Sequence, residues 1–151
     1  MKTVNKLLIG LVILGGVAMT SCKKKGCTDP NADNYSVDAD KDDGTCTYPV
    51  INMNASGSSG DLSGGGGTAS NTQTFTQNSA TLGWDMSIDA SAGSFNLRVR
   101  DADGATVINK TLTAGVGAQD ASGTSSTGTT GTWTTTITLT DFTGTGDYSF
   151  Q

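Results

Sequence analysis

The chain contains no histidine and no glutamate, and all fourteen of its acidic residues are aspartates. That absence excludes a Ser-His-Asp triad, a Cys-His pair, a His-based zinc site and every glutamate-based acid/base pair. Aspartate and lysine remain as chemically active groups, but no paired constellation of them stands out. Asp101 and Asp103 are close in sequence, and a turn explains them. Basic residues are scarce too, nine Lys and Arg against fourteen Asp, for a net charge of −5. A nucleic-acid partner needs a basic patch, so none is expected. Helical periodicity is missing beyond the N-terminal leader, and only two prolines and three cysteines interrupt the chain. The composition excludes most enzyme classes, so no catalytic activity is expected, and the acidic balance suits an extracytoplasmic or a cation-binding domain alike.

The leader begins with Lys2 and Lys6 and continues as an uncharged apolar run from Leu7 to Met19. A bilayer span needs roughly 20 apolar residues, so this run is too short to cross. Its length and flanks are those of a secretory signal covering residues 1–21. Ser21 then precedes Cys22, which resembles the lipobox of bacterial lipoproteins, with Met19 where leucine is usual. The resemblance implies that Cys22 carries lipid, palmitate included, and becomes the mature N-terminus. Two or more acyl chains anchor a protein stably, whereas one is marginal. Residues 22–26 then form a lipidated basic tether. Lys23, Lys24 and Lys25 either attract anionic headgroups, at about 1 kcal/mol per charge, or simply solvate it. The expected destination is the outer membrane, with its two faces left open. With Cys22 consumed, Cys27 and Cys46 remain as the disulfide pair of an oxidising compartment.

Residues 27–48 form a cysteine-flanked acidic module. The run GCTDPNADNYSVDADKDDGTCTY resembles a short repeat of exported and surface proteins in Bacteroidetes-type bacteria. Its usual form is G-C-T-D-x-x-A-x-N-Y-x-x-x-A-x-x-D-D-G-S-C. The resemblance covers about 23 residues and implies a cellular setting rather than an activity. Between the cysteines, six aspartates and one lysine give a net charge of −5. Hard oxygen ligands at alternate positions suit Ca²⁺. Asp29, Asn31 and Asp33 match the opening of an EF-hand loop, Asp40 falls at its twelfth position, and Asp38, Asp40 and Asp42 repeat the alternation. The glycine expected at the sixth position is Asn34, and the twelfth-position glutamate is an aspartate. An EF-hand is therefore not expected. An irregular calcium loop, similar in spirit to thrombospondin type 3 repeats, is the metal-binding expectation, against a stapled acidic turn that holds no ion. Closing about 20 residues by a disulfide contributes roughly 3 kcal/mol on the chain-entropy model.

Residues 49–71 are rich in glycine and serine and include Gly64-Gly65-Gly66-Gly67. No Lys-Ser or Lys-Thr follows, so this is no phosphate loop. It reads as a linker or a long loop, with Val50–Met53 as a short opening strand. Residues 72–151 alternate with period 2. Strands are expected at Thr72–Gln77, at Leu82–Asp89 with Trp84, Met86 and Ile88 inward and Asp85, Ser87 and Asp89 on the other face, and at Phe95–Arg100 with Arg98 and Arg100 outward. Asp101-Ala102-Asp103-Gly104 reads as a hairpin turn leading into Ala105–Leu112. Trp133, Thr135, Ile137 and Leu139 form another inward row. Gly144-Thr145-Gly146 reads as a turn before a last strand, Asp147–Gln151. The expected fold is all-β, a small antiparallel sandwich of about six strands, jelly-roll or immunoglobulin-like. Its C-terminal stretch is weakly similar to jelly rolls of the pre-peptidase C-terminal type.

The function expected from these features is non-catalytic: a lipid-anchored envelope protein displaying a β-sandwich in a structural or adhesive role, stabilised by calcium. The alternative is a carbohydrate-binding surface lipoprotein. Its stacking candidates are Trp84 and Trp133, although both fall in register with apolar rows and so read as core.

Overall fold

The computed structural model describes residues 23–151. The leader at 1–21 and Cys22 lie outside the described residues. Eight strands follow in order: β1 (Lys25–Gly26), β2 (Lys41–Asp42), β3 (Val50–Met53), β4 (Ser59–Gln77), β5 (Gly83–Arg100), β6 (Thr106–Thr113), β7 (Gln119–Thr124) and β8 (Gly131–Phe150). The short β1 and β2 pair in parallel. The other six make one antiparallel sheet in the order β3-β4-β8-β5-β6, with β7 also on β5.

Three of these strands, β4, β5 and β8, are 19, 18 and 20 residues long. At about 3.3 Å per residue a straight strand of that length spans roughly 60 Å, several times the roughly 14 Å radius of gyration of a domain this size. The strands therefore have to fold over, and all three do so at the same level. The register slips between Gly65 and Ala69 on β4 and between Ala90 and Ser94 on β5, opposite Thr140–Gly144 of β8. One layer holds β3, the first half of β4, the second half of β8, the first half of β5, and β7. The other holds the second half of β4, the first half of β8, the second half of β5, and β6. Bulges and glycine kinks are the devices that bend a sheet in this way.

Gly93 makes the bend physically clear. Its φ is 80°, and a Cβ built there would collide with the carbonyl oxygens of Thr140 and Asp141. Asp141 is itself the one non-glycine residue with positive φ among the described residues, at 48°. Its N–H donates to Thr68 Oγ1 of β4 at 3.1 Å, which ties the β4 and β8 corners together.

The core fills the space between the layers. Trp133, Phe95, Phe142, Met86 and Tyr148 are all buried. Phe75 in one layer meets Phe150 in the other, with ring centroids 5.5 Å apart, and also meets Trp133 edge-on at 6.2 Å. The indole of Trp133 donates to the Thr129 carbonyl at 2.7 Å and the Tyr148 hydroxyl to the Gly57 carbonyl at 3.0 Å. Both large polar rings thus satisfy their donors, as buried ones must. Thr135, in the expected inward row, does not: its hydroxyl is buried without a partner.

Several expectations hold. The fold is an all-β sandwich, and Asp101–Gly104 turns β5 into β6. Asp101 Oδ1 accepts from the Ala105 N–H at 2.7 Å and Oδ2 from the Thr129 N–H at 2.8 Å. These backbone donors, Thr129 foremost, hold its carboxyl below the usual carboxylate range. Other expectations are corrected. Within 49–71, expected as a linker or long loop, Val50–Met53 is the expected strand and the part from Ser59 on belongs to β4. Gly144–Gly146 lies within β8, just past its corner. Leu82–Asp89 and Phe95–Arg100 are two halves of one strand. In each case glycine marks a bend inside a strand rather than an end to it.

Gly93→Ala is expected to cost about 3 kcal/mol or more, combining unfavourable φ with collision. At Gly104 φ is also positive, but a Cβ would meet nothing within 4 Å, so Gly104→Ala is expected to cost only about 1 kcal/mol. Urea unfolding separates the two. Thr135→Val keeps the shape and removes the orphan hydroxyl, so it should raise stability by about 1 kcal/mol. A loss in the same assay would mean the hydroxyl has a partner.

Candidate functional site

The acidic module is folded against the sandwich. Cys27 and Cys46 form the expected disulfide, with sulfurs 2.07 Å apart, and Cys27 and Ala32 are its buried centre. Strand β3 covers the outer edge of β4 only from Gly60 to Ser63. Past that point β4 has β8 on one side and an open edge on the other, where unpaired N–H groups invite another strand. The module covers the first part of this edge, at Gly65, Gly67 and Thr68. Asp33 Oδ1 accepts from the N–H of Gly65 at 2.8 Å and of Gly67 at 2.9 Å. The Asn31 carbonyl accepts from the N–H of Thr68 at 2.8 Å. A Cβ on Gly67 would collide with the Asn31 carbonyl and lie 2.8 Å from the Asp33 nitrogen. The glycine run is what lets the module come this close.

The six expected calcium ligands are spread over separate tasks. Asp29 accepts from the N–H of Asn31 at 2.9 Å and from the Tyr48 hydroxyl at 2.8 Å. These donors, Asn31 first, hold its carboxyl below the ordinary value. Asp33 faces β4 as described, whereas the side-chain amide of Asn31 donates to Asp29 Oδ1 at 3.2 Å and only its backbone carbonyl reaches β4. Asp38 pairs with Lys24 at 2.7 Å, which lowers its pKa in the same way. Asp42 caps the N–H of Gly44 at 2.9 Å. Asp40 has no side-chain partner, and its own N–H donates to the Lys24 carbonyl at 2.8 Å. Among the described residues, no three acidic or cysteine side chains converge where a metal ion could sit. Asp29 and Asp42 make local turns, because aspartate readily accepts from the N–H two residues on. The expected tether is likewise folded from Lys24 onward, within and beside β1.

A second arrangement lies on the outer face of the layer that contains β3 and β7. Asn52, Asp61, Asp147, Ser87 and Asp120 stand in one row across five strands, each the register partner of the next. At about 4.8 Å per strand the row is roughly 19 Å long. Asp85 and Asp89 flank Ser87 on β5 and share its face. The Ser87 hydroxyl donates to Asp147 Oδ2 at 2.8 Å. Two shallow hollows flank the Asp61–Asp147 pair, about 350 Å³ beside Asn52 and Ser59 and about 410 Å³ beside Ser87 and Asp89. The alternation of Asp85, Ser87 and Asp89 was legible in the sequence. Asp61 and Asp147 were not, because a bulged register cannot be counted out from residue order.

The stacking candidates are not surface platforms. Trp133 is fully buried. Trp84 is half-buried, with its indole over Gly123 of β7, where a Cβ would lie 3.1 Å from the ring. Among the described residues, exposed aromatic rings are confined to Tyr35 and Tyr48, both in or beside the disulfide module.

No protein-family model and no curated protein sequence matches the chain. Among solved structures it is similar to the carbohydrate-binding module TmCBM61 in complex with β-1,4-galactotriose, with a TM-score of 0.42, 11% identity and 68% of each chain covered. It is similar to a CBM4 structure, with a TM-score of 0.44, 13% identity, and 68% of this chain and 86% of that one covered. The enzymatically active domain of tailspike protein 4 of bacteriophage CBA120 gives a TM-score of 0.41 at 14% identity, over 62% of this chain and 15% of that one.

Asp33→Ala should open the β4 edge. Removing an ionised acceptor from two N–H groups is expected to cost about 1–3 kcal/mol. Amide exchange should quicken at Gly65, Gly67 and Thr68 while Leu97 in the core keeps its protection. Unchanged exchange at those three amides would mean that Asp33 does not hold the edge.

Proposed function

We propose that the protein is a non-catalytic component of the bacterial cell envelope, held by lipid on Cys22, whose sandwich offers its outer faces to partners in a structural or adhesive role. The observation that carries this reading is the short path from anchor to fold. Cys22 is followed by Lys23, then by Lys24, which is already bonded to Asp38, and strand β1 starts at Lys25. A lipid on Cys22 would therefore set the module and sandwich directly at the membrane surface, with no free stalk. The lack of histidine and glutamate supports a role without catalysis. The outer membrane is the proposed location.

A glycan-binding reading draws on the polar row at Asp61 and Asp147, whose oxygens could accept from sugar hydroxyls. It is the weaker reading, since neither outer face carries the exposed aromatic ring on which sugars stack.

Feeding expressing cells an alkyne-tagged fatty acid tests the anchor. The wild-type protein should take up the tag and sediment with membranes, and Cys22→Ala should lose both properties. A tag retained by Cys22→Ala, or no tag on the wild type, would sink the proposal.

A further inference from the structure

The sandwich separates its charge by face. The outer face of the β3 and β7 layer carries Asp61, Asp85, Asp89, Asp120 and Asp147 and no lysine or arginine. The outer face of the other layer carries Arg98 and Arg100, the two arginines of the chain, and no aspartate. Around the arginines stand short polar side chains in registered ranks, including Thr72, Thr136 and Asn109 beside Arg98. Lys110 sits on β6 at the sheet edge, Asp101 and Asp103 in the turn, and Asp141 at the corner, so none of them cancels either face. Among the described residues the one ion pair is Lys24–Asp38. Both faces thus present charge without an opposite partner.

The acidic face also works against itself. Asp61 and Asp147 are direct register partners on neighbouring strands, a placement that disfavours like charges. The hollows on either side of the pair are lined by Ser59 and Asn52 and by Ser87 and Asp89. This lining accepts hydrogen bonds more than it donates them, so its complement is a cationic donor. Guanidinium groups match carboxylates best, because their planar forks bond two oxygens at once.

We propose that the acidic face of one copy docks on the arginine face of a second copy. Arg98 and Arg100 of one sandwich would enter the hollows around Asp61 and Asp147 of the next. Since the two surfaces differ, the contact is heterologous and leaves each end of a pair free to add another copy. A face of roughly 19 Å by 20 Å offers about 400 Å² per partner, below the roughly 800 Å² of a standard stable interface. Association in solution is therefore weak and salt-sensitive. Confinement of anchored copies to one membrane would raise their effective concentration, and that clause alone rests on the lipid anchor proposed above.

Sedimentation velocity on residues 23–151, which lack the lipid site, tests the contact independently of the anchor. At about 0.01 M salt, where the screening length is about 30 Å, the sedimentation coefficient should rise with concentration, and at about 1 M salt the rise should vanish. R98Q/R100Q and D61N/D147N should each stay monomeric alone with unchanged circular dichroism. Mixed, they should form a one-to-one dimer and stop, because each variant retains the face the other has lost. Three results would overturn the proposal: a monomer at every concentration in low salt, association that survives both substitutions, or variants that fail to pair when mixed. Glycan binding lost in D61N/D147N without self-association would give the groove to a sugar instead.

Discussion

The structure depends on one constraint: β4, β5 and β8 are too long to remain straight and must bend where they lie side by side. A bend in a hydrogen-bonded sheet works only if every strand crossing it bends at the same level. Gly93 sits against the Thr140 and Asp141 carbonyls, and Asp141 adopts positive φ and bonds to Thr68. These are three strands meeting at one corner. The corner brings the two halves of a single sheet face to face, so that Phe75 reaches Phe150 and Trp133 finds its place in the core. The bend also costs β4 its regular edge, and the disulfide module answers that cost by supplying Asp33 and the Asn31 carbonyl to the exposed N–H groups. Module and sandwich are therefore physically one unit.

Much of the fold could be read from residue order, for a simple reason. Where one face of a strand is buried, alternation of side chains is strict, and Trp84-Met86-Ile88 and Trp133-Thr135-Ile137-Leu139 show it directly. Asp101–Gly104 was legible because positive φ at Gly104 suits Asp-Gly. What could not be read was continuity. A glycine inside a strand at a corner has the same local signature as a glycine in a loop, so the first part of β4 looked like a linker or long loop and Gly144–Gly146 like a turn. Only the partner across the sheet distinguishes them, and that partner is remote in sequence: Gly67 lies against Asn31, and Gly93 against Asp141.

The candidate sites divide in the same way. The Cys27–Cys46 bond followed from counting cysteines. The alternating aspartates suggested a cation site because Ca²⁺ ligands and turn-capping carboxylates share one spacing. In the structure four of them accept from nearby donors: Asp29 from Asn31 and Tyr48, Asp33 from the β4 backbone, Asp38 from Lys24 and Asp42 from Gly44. The row through Asp61, Asp147 and Asp120 joins strands that residue order leaves unconnected. Its counterpart at Arg98 and Arg100 was visible as outward arginines, without the knowledge that they have a face to themselves.

Whether the module is docked or tethered decides the account most directly, and nitrogen-15 relaxation of residues 23–151 measures it. A module fixed by Asp33 and Asn31 should tumble with the sandwich, so amides at Asp33 and Tyr35 should report the same correlation time as those at Leu97 and Ile137. A distinctly shorter correlation time for the module would contradict docking and restore a flexible spacer between membrane and sandwich.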